Sequence, residues 1–121
     1  MTKMKSSKKP IKQRKYRYSA PLHMTGRLMN VQLSKDLKKK FSKRSVRVRT
    51  GDRVKVMKGS YKGKSAKVEN VDLKVKKIYL AGVESQKKDG TKVKIPISPS
   101  NLMITELHLD DKKRQEAMKR K

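Results

Sequence analysis

Residues 52–83, DRVKVMKGSYKGKSAKVENVDLKVKKIYLAGV, leave few folds open. Arg53-Val54-Lys55-Val56 alternates strictly, placing two valines on one face of a strand and two cations on the other. Gly59 and Gly63 then bracket a five-residue loop, Gly59-Ser60-Tyr61-Lys62-Gly63. A second strand pattern covers residues 64–71 with Ala66 and Val68 inward, and a third runs through Ile78 and Leu80. Glycine permits positive φ and lets a backbone approach something closely. A small basic loop carrying one aromatic ring on a rigid β scaffold has the outline of a nucleic-acid contact surface.

The alternation resumes on either side. Val46 and Val48 alternate with Arg47 and Arg49, and Thr50-Gly51-Asp52 reads as a turn. Downstream, Asp89-Gly90 between alternating segments predicts a hairpin. Residues 92–97 form another strand pattern, which Pro96 marks as an edge or an end. Residues 98–101 predict a turn, for which a single 3₁₀ turn is one form, and Leu102-Met103-Ile104 a last short strand. About five short strands in some 55 residues predict a mainly β fold, a small and strongly bent barrel.

Charge sets the flanks apart. Of 121 residues, 36 are Lys or Arg and 10 are Asp or Glu, a net charge of +26. Residues 1–50 hold 17 of the cations against Asp36 alone. A charge this large opposes compaction unless a polyanion neutralises it, and nucleic acid is the first candidate, an anionic membrane surface the second. With 33% hydrophobic residues, no Trp and one Phe, the chain cannot fill a core along its whole length.

Residues 1–33 are therefore expected to be a basic, extended N-terminal arm ordered by its partner. Its candidate RNA contacts are Lys8, Lys9, Lys12, Arg14, Lys15, Arg17 and Arg27. Tyr16 and Tyr18 are interleaved with these cations and can stack on unpaired bases. Residues 34–45 predict a short helix and connection, with Ser34 as N-cap, Asp36 in the first turn, and Leu37 and Phe41 sharing a face. Residues 46–107 are the barrel. Residues 108–121 predict a short C-terminal helix of little apolar face, marginal unless docked, with Asp110-Asp111 at its start. In the barrel the candidate contacts are Arg53, Lys55, Lys58, Ser60, Tyr61, Lys62 and Lys64, with Gly59 and Gly63 as loop glycines. Tyr61 can equally pack on the barrel.

No catalytic constellation emerges. Lys58 stands where a phosphate-binding P-loop needs its first glycine, five residues before Gly63. The two histidines, His23 and His108, are isolated, and there is no Cys. No enzyme activity, cofactor, metal site, homo-oligomer or membrane insertion is expected. No apolar run approaches the roughly 20 residues of a membrane span, and no secretion signal opens the chain, so an intracellular protein is expected.

Arg53-Val54-Lys55-Val56, Gly59, Lys62-Gly63, Val68 and Val71 resemble a KOW motif, which implies an SH3-like barrel. Taken whole, the chain resembles the large-subunit ribosomal proteins of the L-twenty-four family in their archaeal/eukaryotic form. The resemblance rests on residues 15–22 ending in Ala20-Pro21, on Leu33-Ser34-Lys35-Asp36-Leu37 and Arg44-Ser45, and on the loop at residues 52–63. It continues in Asp89-Gly90-Thr91, Ile97-Ser98-Pro99-Ser100-Asn101-Leu102, Ile104-Thr105 and Leu107-His108-Leu109-Asp110. It implies a structural constituent of the cytoplasmic ribosome that binds large-subunit ribosomal RNA near its 5′ end, early in assembly, beside the peptide exit tunnel. Neighbouring large-subunit proteins and exit-site targeting factors are the partners it suggests. The alternatives are a KOW transcription elongation factor, which would normally carry a further domain, and a non-specific DNA-compacting chromatin protein.

Overall fold

A computed structural model describes residues 7–120. Among these residues eight short strands form the domain, rather than about five. Six make one mixed sheet in the order β2-β1-β8-β3-β4-β5, and β6 pairs with β7 alone. These are β1 Asn30–Leu33, β2 Ser45–Arg47, β3 Arg53–Val56, β4 Ser65–Asp72, β5 Lys77–Leu80, β6 Glu84–Gln86, β7 Lys92–Lys94 and β8 Leu102–Glu106. Neighbours are antiparallel except β1 and β8, which run parallel. The sheet bends back through Ile78 on β5, which exchanges two backbone hydrogen bonds with Ile97, each 2.9 Å. A barrel-like domain results.

Alternation fills its interior. Val54 and Val56 of β3, Val68 of β4, Ile78 and Leu80 of β5, and Leu102 and Ile104 of β8 are at most 2% exposed. The partners between them on β3, Arg53 and Lys55, are exposed. The core is aliphatic; Tyr61 and Phe41 pack only against its edge. Asp89-Gly90 makes the β6–β7 turn, with Gly90 at φ +83°, and Pro99–Asn101 forms the single 3₁₀ turn expected before β8.

The N-terminal segment departs from expectation twice. Residues 30–33, read as arm, are β1, an interior strand whose Val31 and Leu33 are fully buried. The apolar side chains of residues 29, 31 and 33 alternate with Asn30 and Gln32, a period-two signal that the surrounding charge conceals. Upstream, Pro10–Ser19 is a helix, α1, rather than extended chain. Pro10 at its first turn needs no N–H partner, and Lys, Arg and Gln are good helix formers. No α1 residue is buried. Its last turn is tied to the domain by the Lys76 ammonium, which donates to the Arg17 carbonyl. Lys3 and Lys5 lie outside the described residues. A single turn, α2 Leu22–Thr25, and a 3₁₀ turn, Gly26–Met29, lead into β1.

The helix before the barrel is α3, Lys35–Phe41. The Ser34 hydroxyl accepts from the Leu37 N–H at 3.4 Å, and Ser42 at φ +52° ends the helix. The C-terminal helix is α4, Lys112–Lys119, with Asp111 as its N-cap.

α4 is docked by a buried ion pair. Arg114 is 5% exposed and Asp52 is 0% exposed. The guanidinium grips both carboxylate oxygens, Nη1 to Oδ1 and Nη2 to Oδ2, each at 2.7 Å. It also donates to the carbonyls of His108 at 2.7 Å and Arg47 at 3.2 Å. Asp52 accepts two more bonds, from the backbone N–H groups of His108 and Arg49, each 2.9 Å. One carboxylate thus joins the β2–β3 turn, the segment after β8, and α4. Met118, 3% exposed, completes the contact, and the Lys43 ammonium donates to the Ala117 carbonyl near the helix end.

The N-cap of α4 gives a pH test. The Arg49 guanidinium hydrogen-bonds the Asp111 carboxylate and, with the Lys113 N–H, holds its pKa below 3.8. A depressed folded-state pKa contributes stability above the unfolded value that fades as pH falls through the folded one. Amide protection at the start of α4, the intrinsic exchange rate at each pH divided by the observed one, should therefore be constant above about pH 5 and fall as the pH drops through 3.8. Protection that is flat across this range would show that Asp111 does not hold the helix.

Candidate nucleic-acid interface

The β3–β4 connection is the glycine loop. Backbone bonds close it: Val56 N–H to the Lys64 carbonyl at 2.9 Å and Gly63 N–H to the Val56 carbonyl at 2.8 Å. Inside it, Lys62 N–H donates to Gly59 and Lys64 N–H to Tyr61, each at 3.1 Å. Gly59 and Gly63 take φ of +99° and +89°, a region that a side chain strains. A Cβ built at either would meet nothing within 4 Å, so the loop backbone is open to close approach. Gly63→Ala should cost about 1–2 kcal/mol in urea denaturation, from strain alone; an unchanged midpoint would show that the loop relaxes freely.

The candidate loop residues divide by what they already hold. Lys58, Ser60 and Lys62 are exposed. Tyr61 is half-buried, packs against the core, and donates its hydroxyl to the Glu84 carbonyl at 3.1 Å. The Lys64 ammonium lies 5.9 Å from the Tyr61 ring centre and donates to the Gly82 carbonyl. Tyr61 and Lys64 therefore strap the loop to the β5–β6 turn, while Lys58 and Lys62 stand free.

Beside the loop, the outer face of the sheet is cationic. Arg53 lies directly opposite Lys67 in the β3–β4 register, and both are exposed. Like charges opposed across strands are destabilising. Only Arg53 finds relief, in Glu106 at 3.3 Å across β8. Lys55 projects from the same face. Lys67 is not among the contacts expected from the sequence; its signal there is its outward place between Ala66 and Val68 in an alternating strand.

The second group of candidates is the arm. Lys8 and Lys9 precede α1, and Lys12, Arg14, Lys15 and Arg17 lie on it; all are exposed. Arg27, in the 3₁₀ turn before β1, is exposed as well. The fold does not merge the two groups. The glycine loop adjoins the start of β4, whereas Lys76, which holds α1, lies beyond its end. Eight residues at ~3.3 Å each separate those ends by about 25 Å.

Among the described residues, no three His, Asp or Glu side chains are grouped to hold a metal ion. No helix among them is long and apolar enough to cross a membrane. The His108 backbone N–H donates to the Asp52 carboxylate, and the His108 Nε2 lies 3.1 Å from Asp110 at the surface.

Residues 7–121 match the family model that describes the eukaryotic L26 and archaeal L24 ribosomal proteins. The large ribosomal subunit protein uL24 of Methanosphaera stadtmanae is 50% identical over 115 residues, 95% of this chain and 98% of that one. Those of Methanothrix thermoacetophila and Korarchaeum cryptofilum are 51% and 47% identical, covering 94% and 95% of this chain and 98% and 88% of theirs. A match this long, carrying both the barrel and its flanks, places the chain in the family of ribosomal proteins formed by eukaryotic L26 and archaeal L24.

Proposed function

We propose that this chain, a structural protein of the large ribosomal subunit, binds the subunit's RNA near its 5′ end and holds separate RNA segments together. The observation that carries the reading is the division of exposed cations between two ends of β4. The glycine loop offers Lys58 and Lys62 over an open backbone, and α1 offers Lys12, Arg14, Lys15 and Arg17. Neutralising phosphates at both places releases counterions at both, and the rigid sheet between them sets the spacing. Recognition is of RNA shape and phosphate position, since lysines dominate and few side chains here read base edges. Early action in subunit assembly, a position beside the peptide exit tunnel, and contact with neighbouring subunit proteins and exit-site factors follow from the same family reading.

Co-sedimentation from a lysate through a salt series, with the RNA of each fraction identified, tests it. The protein should travel with the large subunit and resist moderate salt. Release at low salt, or travel with chromosomal DNA or polymerase, would overturn the assignment. On an isolated 5′-region transcript, replacing Lys58 and Lys62 together by Gln should flatten the log-log salt dependence by about two units. An unchanged slope would remove the loop from the interface.

A further inference from the structure

The outward face of α1 carries an arrangement that phosphate contact does not account for. Ile11 is 73% exposed and Tyr18 is 93% exposed. They are seven residues apart, two helical turns, with Arg14 and Lys15 between them. At 100° per residue all four fall within an arc of about 100°. Tyr16 and Gln13 lie on the other side and are half-buried. The Gln13 amide donates to the Ser7 carbonyl at 2.5 Å. The helix thus half-buries one tyrosine and leaves the other almost fully in water, framed by two cations.

We propose that this face is a base-stacking site, in which Tyr18 stacks on an unpaired nucleobase of the ribosomal RNA while Arg14 and Lys15 hold the phosphates on either side of it. The proposal rests on the RNA-binding reading above. A phenol ring offers a flat face to any base, and stacking is the principal way proteins take hold of unpaired RNA. Charge complementarity selects the occupant: the arc presents two cations and no acid, and α1 contains no acidic residue. Two features oppose a lipid surface. Arg14 and Lys15 interrupt the apolar stripe between Ile11 and Tyr18, and no continuous apolar face exists to bury in a headgroup layer. The anchored end supports the geometry, because Lys76 fixes the carbonyl of Arg17, the residue before Tyr18. The ring is therefore presented from a held backbone rather than from a free chain end.

The test uses the full chain and an RNA transcript from the 5′ region of large-subunit ribosomal RNA, with affinities measured across a salt series. Tyr18→Ala should lose about 5- to 150-fold in affinity, the range that stacking of one base implies, with the salt slope unchanged. Tyr18→Phe should bind as the parent chain does, since the ring and not the hydroxyl makes the contact. Arg14→Gln with Lys15→Gln should instead lower the slope by about two units. Because Arg14, Lys15 and Tyr18 are all exposed, these variants should keep the parent far-ultraviolet circular dichroism spectrum and unfolding midpoint.

Parent-like binding by Tyr18→Ala would overturn the proposal, as would equal losses in Tyr18→Phe and Tyr18→Ala. So would a Tyr18→Ala variant that keeps its RNA affinity but loses binding to vesicles one-third phosphatidylserine, which would assign the face to lipid. Failure of the underlying reading looks different: the unaltered chain would bind the transcript no better than duplex DNA of equal length.

Discussion

Asp52→Ala is expected to destabilise the domain by about 3–5 kcal/mol, the cost of removing one partner from a buried ion pair. In a protein whose total stability is on the order of 5–15 kcal/mol, that leaves a marginal fold. The size comes from what the carboxylate serves. Its loss strands the Arg114 guanidinium, 5% exposed, and also the backbone N–H groups of Arg49 and His108. Each unpaired buried group adds a desolvation penalty. Arg114→Leu should cost less. Without the guanidinium α4 can lift away, Asp52 regains water, and its two backbone donors remain. Urea denaturation of both single variants and the double variant measures the pair directly. The expected order is Asp52→Ala worst, with the double variant close to it. A cost below about 1 kcal/mol for Asp52→Ala, or an Arg114 variant that is worse, would show that the carboxylate is not the junction of the β2–β3 turn, the segment after β8, and α4.

That junction also marks the limit of what the sequence disclosed. Local signals were legible: Val54 and Val56 announced β3, Asp89-Gly90 a hairpin, Ser34 the cap of α3, and all three are found. The Asp52–Arg114 pair spans 62 residues and has no local signature. Asp52 read as an ordinary turn residue, and Arg114 as one more cation in a basic helix. Only folding shows that this arginine points inward. β1 failed for a different reason. Its alternation was present, but it sat in a segment whose charge favoured an unfolded arm, and its neighbours β2 and β8 lie some 15 and 70 residues downstream. α1 is hidden by its charge: like charges oppose a chain's collapse, yet Lys, Arg and Gln still favour a local helix. At the candidate interface, residue type was legible and commitment was not. Nothing in the loop sequence says that Tyr61 and Lys64 are spent on the carbonyls of Glu84 and Gly82.

Deleting residues 1–20 should leave the domain folded and cost it on the order of 10³ in RNA affinity. The cut must fall there and not at residue 30. Met29 is fully buried and Asn30 is in register with Arg47, so the longer deletion would open the core and confuse unfolding with lost binding. Residues 1–20 bring eight cations, Lys3, Lys5, Lys8, Lys9, Lys12, Arg14, Lys15 and Arg17. Each phosphate contact contributes ~0.9 to the log-log salt slope, worth roughly fivefold at 0.15 M salt. If half the eight cations touch phosphate, the loss reaches about 10³ and the slope falls by about four. The intact chain, with six to ten contacts, should lose ~10³–10⁵ in affinity between about 50 and 200 mM salt, and the truncated chain far less. The unfolding midpoint should scarcely move, since α1 has no buried residue and its bond from Lys76 lies at the surface. An unchanged affinity and slope would place the whole interface on the barrel and leave α1 without a role in binding. A large affinity loss with an unchanged slope would mean instead that the arm grips RNA by stacking alone, with its cations left to the solvent.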